Sequence, residues 1–231
     1  MSSSCRVDWC SHDAARYAVE RWHYSRRLPG GKRAALGVWE EGRFVGAVVF
    51  GSGATPMSHR PFGVAPEEVC ELVRVALDAH RTPVSRVLRI ACAMLRREMP
   101  GLRVVVSFAD TARGHHGGIY QAAGWTYLGT TVQRYYLVSG HVVHPRTLHS
   151  RYGFGGQSIA WLREHVDPYA VEVPVPVKHK YANPLDAAMR AQLDALARPY
   201  PRPAGVGSST DGDQPSGAGA TPSAGLHIPP D

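Results

Sequence analysis

Residues 70–110 limit the possible folds more than any other stretch. VCELVRVALD reads as an apolar strand, SRVLRIACAMLRREMPG as an amphipathic helix, and LRVVVSFAD as a second strand. Val87, Leu88, Ala91, Met94 and Leu95 recur at helical spacing, with Ser85 as the expected N-cap and Gly101 as the stop. Two strands joined by one helix call for a parallel or mixed sheet with a right-handed crossover. The unbroken apolar run VVVSFA belongs at the centre of that sheet, covered on both faces.

The flanking segments extend this α/β reading. SHDAARYAVERWHYS carries a helical stripe (Ala15, Val19, Trp22) behind a Ser/Asp start. AALGVWEEGRFVGAVVFGSG reads as a hairpin turning at Glu41-Gly42-Arg43. GHHGGIYQAAGW reads as a short helix, and TYLGTTV with RYYLVSG as a closing hairpin. A mixed basic segment follows. It has an expected helix from Ser158 to His165, a Pro-rich strand VEVPVPV fit only for an edge, and a last helix from Leu185 to Ala197. The expected division is a catalytic core over 1–140, a basic extension packing on it over 141–202, and a tail over 203–231. The tail is rich in Pro, Gly, Ser and Ala, and is expected to be disordered for want of apolar surface to bury.

The chain has 231 residues, 44% apolar and 19% charged, enough for one domain with a real core. No run of about 18 apolar residues offers a membrane span, and no apolar leader is visible. The expected compartment is the cytoplasm, with Cys5, Cys10, Cys70 and Cys92 as reduced thiols. Cys5, Cys10 and His12 are irregularly spaced and lack a fourth metal ligand, so they read as an ordinary segment. Formal charge is +7, and only three aspartates are charged beyond residue 202, so the first 202 residues carry +10. A field of that size suits a polyanion, most simply nucleic acid, although an Arg-rich surface alone also produces it. RRLPGGKR (Arg26, Arg27, Lys32, Arg33), SRYG (Arg151, Tyr152) and KHKY (Lys178, Lys180) are candidate DNA contacts. The last two place cations beside rings, suited to neutralising phosphates and stacking on bases.

The chemistry concentrates in SFADTARGHHGGIYQAAGW, residues 107–125. Asp110 stands at the carboxyl end of the central strand, where α/β folds place their sites. From the residues alone, Asp110 is either a helix N-cap or a site carboxylate. Tyr120 is either a core-edge tyrosine or a site phenol. His23 and Tyr24 are either packing residues or site residues, and His115 and His116 are candidate substrate or phosphate contacts.

The element order resembles the GNAT superfamily of N-acetyltransferases. That resemblance implies a mixed sheet whose central strands splay apart, flanked by helices, with an acyl-coenzyme A in the gap. Its phosphates would sit on the turn HRTPVSR (80–86), where Arg81, Arg86 and Ser85 replace the glycines that most members carry. HYS (23–25), ELVR (71–74), SFAD (107–110), GGIYQ (117–121), GWTYLG (124–129), RYG (151–153) and KHKY (178–181) together resemble the bacteriophage Mom family over roughly residues 10–185. This implies an enzyme that converts adenine in DNA to N6-carbamoylmethyladenine and protects the DNA from restriction. It further implies acetyl-CoA or another acyl-CoA as donor, and a metal thought to be iron. By the same resemblance, His23, Tyr24, Asp110 and Tyr120 are catalytic and metal-ligating, and Arg74 and Ser85 bind the acyl-CoA. The competing expectations are an ordinary N-acetyltransferase acting on another amine, and a DNA-binding antirestriction module without catalysis.

Overall fold

The computed structural model describes residues 4–52, 58–131 and 134–202. The side chains of Lys32 and Arg33 lie outside the described residues, as does the tail from residue 203 that was expected to be disordered. Residues up to Pro201 form one unit.

The chain opens with a strand that the sequence reading missed. β1 (Cys5–Trp9) pairs antiparallel along β2 (Lys32–Glu40), from Cys5 opposite Glu40 to Trp9 opposite Leu36. Its signal was the strict apolar–polar alternation of CRVDW. Between them runs α1 (His12–Trp22), whose first turn is capped by Ser11 accepting the Ala14 N–H at 3.1 Å. β2 and β3 (Arg43–Gly51) form the expected hairpin. Glu41 and Gly42 both take positive φ at its turn, which matches the twist of the strands.

β4 (Val69–Leu77), α2 (Val84–Glu98) and β5 (Val104–Asp110) form the crossover unit, and β4 pairs parallel with β5. α2 begins two residues earlier than its sequence suggested. Pro83 is its N-cap and Ser85 lies inside the first turn, so the expected Ser85 cap does not form. Pro at this position has a fixed φ and no N–H to lose, which favours it as a helix start.

α3 (Gly118–Ala122) leads into β6 (Thr126–Thr131). The expected closing hairpin of β6 with β7 (Arg134–Val138) is not formed. β7 joins β8 (His141–Val143) and β9 (Val171–Pro174) in a separate three-stranded sheet with β9 at its edge. α4 (Pro145–Tyr152) and α5 (Ile159–His165) accompany that sheet around Leu148, Leu162 and Tyr136.

β10 (Lys178–Pro184) takes the place expected for β7. It inserts antiparallel between β5 and β6, giving the order β1-β2-β3-β4-β5-β10-β6. The basic stretch after residue 140 thus runs through the main sheet rather than only packing on it. Its second half, YANP, supplies the fully buried Tyr181 and Ala182 that a central position needs. α6 (Ala187–Leu196) closes the chain's described body.

Helices cover both faces. Val87, Leu88, Ala91 and Leu95 of α2 pack with Leu36, Val38, Val48, Phe50, Cys70, Leu72 and Val105. Each such residue contributes about 1.5–3 kcal/mol relative to exposure. The intervening residues face the other way. Ala35, Ala47, Val49 and Ala76 meet Ala15, Ala18 and Val19 of α1, and Val104 and Val106 meet Met189 and Leu193 of α6. No helix among the described residues is long and apolar enough to cross a membrane.

Candidate active site

The parallel pair is short. Val69, Cys70 and Glu71 face Val104, Val105 and Val106, and the pairing stops there. Beyond it β4 stays on β3 up to Leu77 while β5 follows β10 to Asp110, so the two strands part. A bulge in β4 accompanies the parting: Leu72 faces Phe50 and Arg74 faces Val49, leaving Val73 extra. The added residue restarts the alternation and sends Arg74 to the face of α1.

The gap opens into a cleft of ≈ 820 Å³. It gathers His23 and Tyr24 from the end of α1, and Glu71 and Arg74 from β4. Ser107 and Asp110 of β5, His115 and Tyr120, and Lys178 and Lys180 of β10 complete the lining, with His144 and Arg146 at the start of α4. All four residues expected to be catalytic therefore line one cavity.

Tyr120 is buried, its ring tilted against those of Trp125 and Tyr181 at separations of 5.2 and 5.1 Å. Ser107 Oγ lies 2.9 Å from its hydroxyl and 3.0 Å from the Leu72 carbonyl. A carbonyl only accepts, so the single Ser107 proton goes to Leu72 and the Tyr120 phenol donates to Ser107 Oγ. Burial pushes the phenol up to about 12, so it holds its proton at neutral pH. This relay ties β5 to β4 at the point where the strands separate.

His23 is the C-cap of α1. Its Nδ1 accepts the Ser25 N–H at 3.1 Å and lies 2.8 Å from the Ser25 hydroxyl. A neutral ring held this way carries its proton on Nε2. Burial, with Arg74 and His115 nearby, lowers its pKa to about 4. Tyr24 is 55% exposed, its ring 4.2 Å from that of His23 and under the Arg113 guanidinium at 5.2 Å. Arg74 is fixed from its own side of the cleft by the Val73 carbonyl at 2.6 Å and the Arg27 carbonyl at 3.1 Å. Asp110 serves both roles open to it. Its Oδ1 caps the following turn through the Ala112 N–H at 3.0 Å, and the residue lines the cleft.

The DNA and cofactor expectations divide. Lys178 and Lys180 lie in the cleft, opposite Asp110 and Phe108 in register. Desolvation lowers the Lys180 pKa, and its Nζ sits 4.9 Å over the Phe62 ring. Arg26 and Arg27 are exposed on the loop after α1. Arg151 and Tyr152 line a separate recess of ≈ 350 Å³ beside β8 and α4. Arg81, Ser85 and Arg86 lie outside the cleft lining, at the start of α2. Sequence reading passed over Glu71, Ser107, His144 and Arg146. Glu71 interrupts an apolar strand as its lone carboxylate, which was the available signal; the others carried none.

As they stand, His23, Tyr24, Asp110 and Tyr120 do not fit a metal ion. The Tyr120 hydroxyl is engaged by Ser107, and the His23 Nδ1 lone pair is taken by Ser25. Arg113 lies over the Tyr24 ring, and Arg74 brings its charge to bear on both His23 and Tyr24. Among the described residues no group of three His, Cys, Asp or Glu side chains is placed to hold one. The turn before α2 fits a diphosphate no better, because its Arg81 and Thr82 N–H groups bind the carboxylate of Glu40 at 2.8 and 2.7 Å.

Fold and cleft together define a mixed α/β protein with a polar, largely cationic site between two parted parallel strands. The chain belongs to the Mom protein family, whose model matches residues 4–202. It is 28% identical over 208 residues to the methylcarbamoylase mom of Escherichia phage Mu, covering 87% of this chain and 85% of the relative. Among solved structures it is similar to aminoglycoside acetyltransferase AAC(6')-Ib in complex with coenzyme A and kanamycin. That match has 14% identity and a TM-score of 0.42 and covers 55% of this chain and 87% of the other. The coenzyme A complex of the same enzyme gives 13% identity and a TM-score of 0.42, covering 61% and 92%.

Proposed function

We propose that the chain is a transferase that places a carbamoylmethyl group on N6 of adenine in double-stranded DNA and so shields the DNA from restriction. One observation carries the reading: in a member of the Mom family, the parted strands bring Asp110, Tyr120, His23, Tyr24, Arg74 and the Lys178–Lys180 pair into one cleft. Adenine inside a duplex is stacked and paired, so it must be flipped out to enter. Tyr24, exposed beside the His23 ring, offers it a stacking face. The N6 lone pair forms the new bond to the carbamoylmethyl carbon as that carbon's bond to its carrier breaks, the electron pair leaving with the carrier, and the Asp110 carboxylate accepts the N6 proton. The Tyr120 phenol, still protonated at neutral pH, turns its hydrogen from Ser107 Oγ to protonate the departing carrier. Proton donors on His23 Nε2 and Arg74 bind the carbonyl oxygen of the transferred amide and orient its methylene carbon toward N6. Lys178 and Lys180 meet the phosphates flanking the flipped base. An acyl-CoA donor and iron belong to the family resemblance; the turn before α2 does not seat a diphosphate and the four side chains do not hold a metal as they stand, so no step is routed through either group.

The test is mass spectrometry of nucleosides from cells expressing the chain. The expected result is deoxyadenosine gaining the mass of a carbamoylmethyl group, lost in Asp110→Ala and reduced at least about 100-fold in Tyr120→Phe. Unmodified deoxyadenosine beside a folded wild-type protein would overturn the reading. If acetylated protein or small amines appeared instead, the ordinary acetyltransferase expectation would replace it.

A further inference from the structure

We infer that Glu40 is the resident anion of the turn before α2, so that the group donor is not held there by a diphosphate. Glu40 ends β2 with 6% of its surface exposed. Its Oε2 accepts the Arg81 N–H at 2.8 Å and its Oε1 the Thr82 N–H at 2.7 Å, and the Thr82 hydroxyl adds a third donor. Thr82 is itself buried. These donors hold the Glu40 carboxyl down at about 2, fully ionised in any physiological buffer.

The remaining donors of the turn are few. Pro83 has no N–H, and the Arg86 and Val87 N–H groups both return to the Pro83 carbonyl, at 2.9 and 3.3 Å. Only those of Val84 and Ser85 are left. The Arg81 guanidinium reaches back to Glu41 at 3.5 Å rather than over the turn. A diphosphate seated on a helix start needs several converging N–H groups and a positive field. Here two of the groups are taken, one is deleted by proline, and a fixed negative charge stands where the phosphate would. The carboxylate supplies from within what a bound anion supplies from outside: it satisfies the donors and fixes the angle between the β2–β3 hairpin and α2. The donor is then gripped by its reactive end in the cleft, where the cations are.

The test uses the full chain labelled with ¹⁵N, titrated separately with inorganic pyrophosphate, coenzyme A and pantetheine. The inference expects the Arg81, Thr82, Val84 and Ser85 amide signals to stay in place with all three, whether or not coenzyme A binds elsewhere. Saturable movement of those amides with coenzyme A and pyrophosphate, but not with pantetheine, would overturn it. Glu40→Ala provides a second arm. With the carboxylate gone, a folded variant should bind pyrophosphate at these amides at least tenfold more tightly than wild type. A folded variant that gains nothing would show that no anion seat exists there, and the inference fails. If Glu40→Ala does not fold, the wild-type titration decides alone. None of these readouts depends on DNA modification, so the nucleoside analysis can succeed or fail separately.

Discussion

At the scale of single residues, His23 and Gly117 carry consequences that can be measured on the purified protein. The His23 pKa is depressed from 6.5 to about 4 because burial and Arg74 oppose its charge. The unfolded chain therefore takes up the proton first. Stability is unaffected above the unfolded value and declines as the pH falls from 6.5 towards 4. Its partial exposure limits the loss to about 2 kcal/mol. Urea denaturation at a series of pH values should show this slope in wild type and a flatter one in His23→Gln; equal slopes would show that the ring is not desolvated. Gly117 sits at φ +87°, and a Cβ there would strike the ring and hydroxyl of Tyr181. That hydroxyl donates to the His116 carbonyl at 2.6 Å and accepts from Gln121 at 3.0 Å, so the ring cannot swing aside cheaply. Gly117→Ala should cost about 2–4 kcal/mol, from the left-handed backbone plus overpacking. A change under about 1 kcal/mol in the denaturation midpoint analysis would mean that Tyr181 moves freely. These contacts explain Gly117: it lets the turn pass over a buried tyrosine from a distant strand.

At the scale of elements, the Glu40 carboxylate is the joint between the β2–β3 hairpin and α2. Its pKa is lowered from 4.5 to about 2, so its contribution is complete above pH 4.5 and is lost as the pH falls towards 2. Glu40→Gln should lower stability by about 3 kcal/mol at pH 7 and remove that part of the acid sensitivity; a neutral substitution would show the joint to be dispensable. Nothing in the letters announced this pairing, because Glu40 and Thr82 are 42 residues apart. The crossover unit was legible for the opposite reason: VCELVRVALD, the helix stripe and VVVSFA each obey a local period, and a single helix between two strands leaves one topology. His23, Tyr24, Asp110 and Tyr120 were found through short motifs, and the cleft gathers all four. β10 was not legible. KHK reads as a solvated cationic face, and its burial depends on Tyr181 meeting Tyr120 and Tyr127, which no local pattern encodes. Likewise β6 and β7, adjacent in sequence, part into two sheets because β10 outcompetes β7 for the β6 edge.

At the scale of the whole molecule, the first 202 residues carry +10, which under the proposed function draws DNA in from long range and leaves the cleft to position the captured duplex. Lys178 and Lys180 stand on a central strand, half-buried in the cleft, whereas Arg151 is exposed on α4 and lines the separate recess. If the proposed function holds, these cations differ in kind. Each releases roughly one counterion on meeting a phosphate, so each alanine replacement should lower the slope of log affinity against log salt by about 1. Lys178→Ala with Lys180→Ala should lower it by about 2 and also reduce modification at saturating DNA, because the base is no longer positioned. Arg151→Ala should weaken binding while leaving modification at saturating DNA unchanged. Fluorescence anisotropy across a salt series, paired with nucleoside analysis of the same variants, reads both quantities. A binding curve indifferent to salt would remove the electrostatic argument altogether. Equal loss of modification in all three replacements would mean that the cleft lysines only add to affinity and hold nothing in register with Asp110.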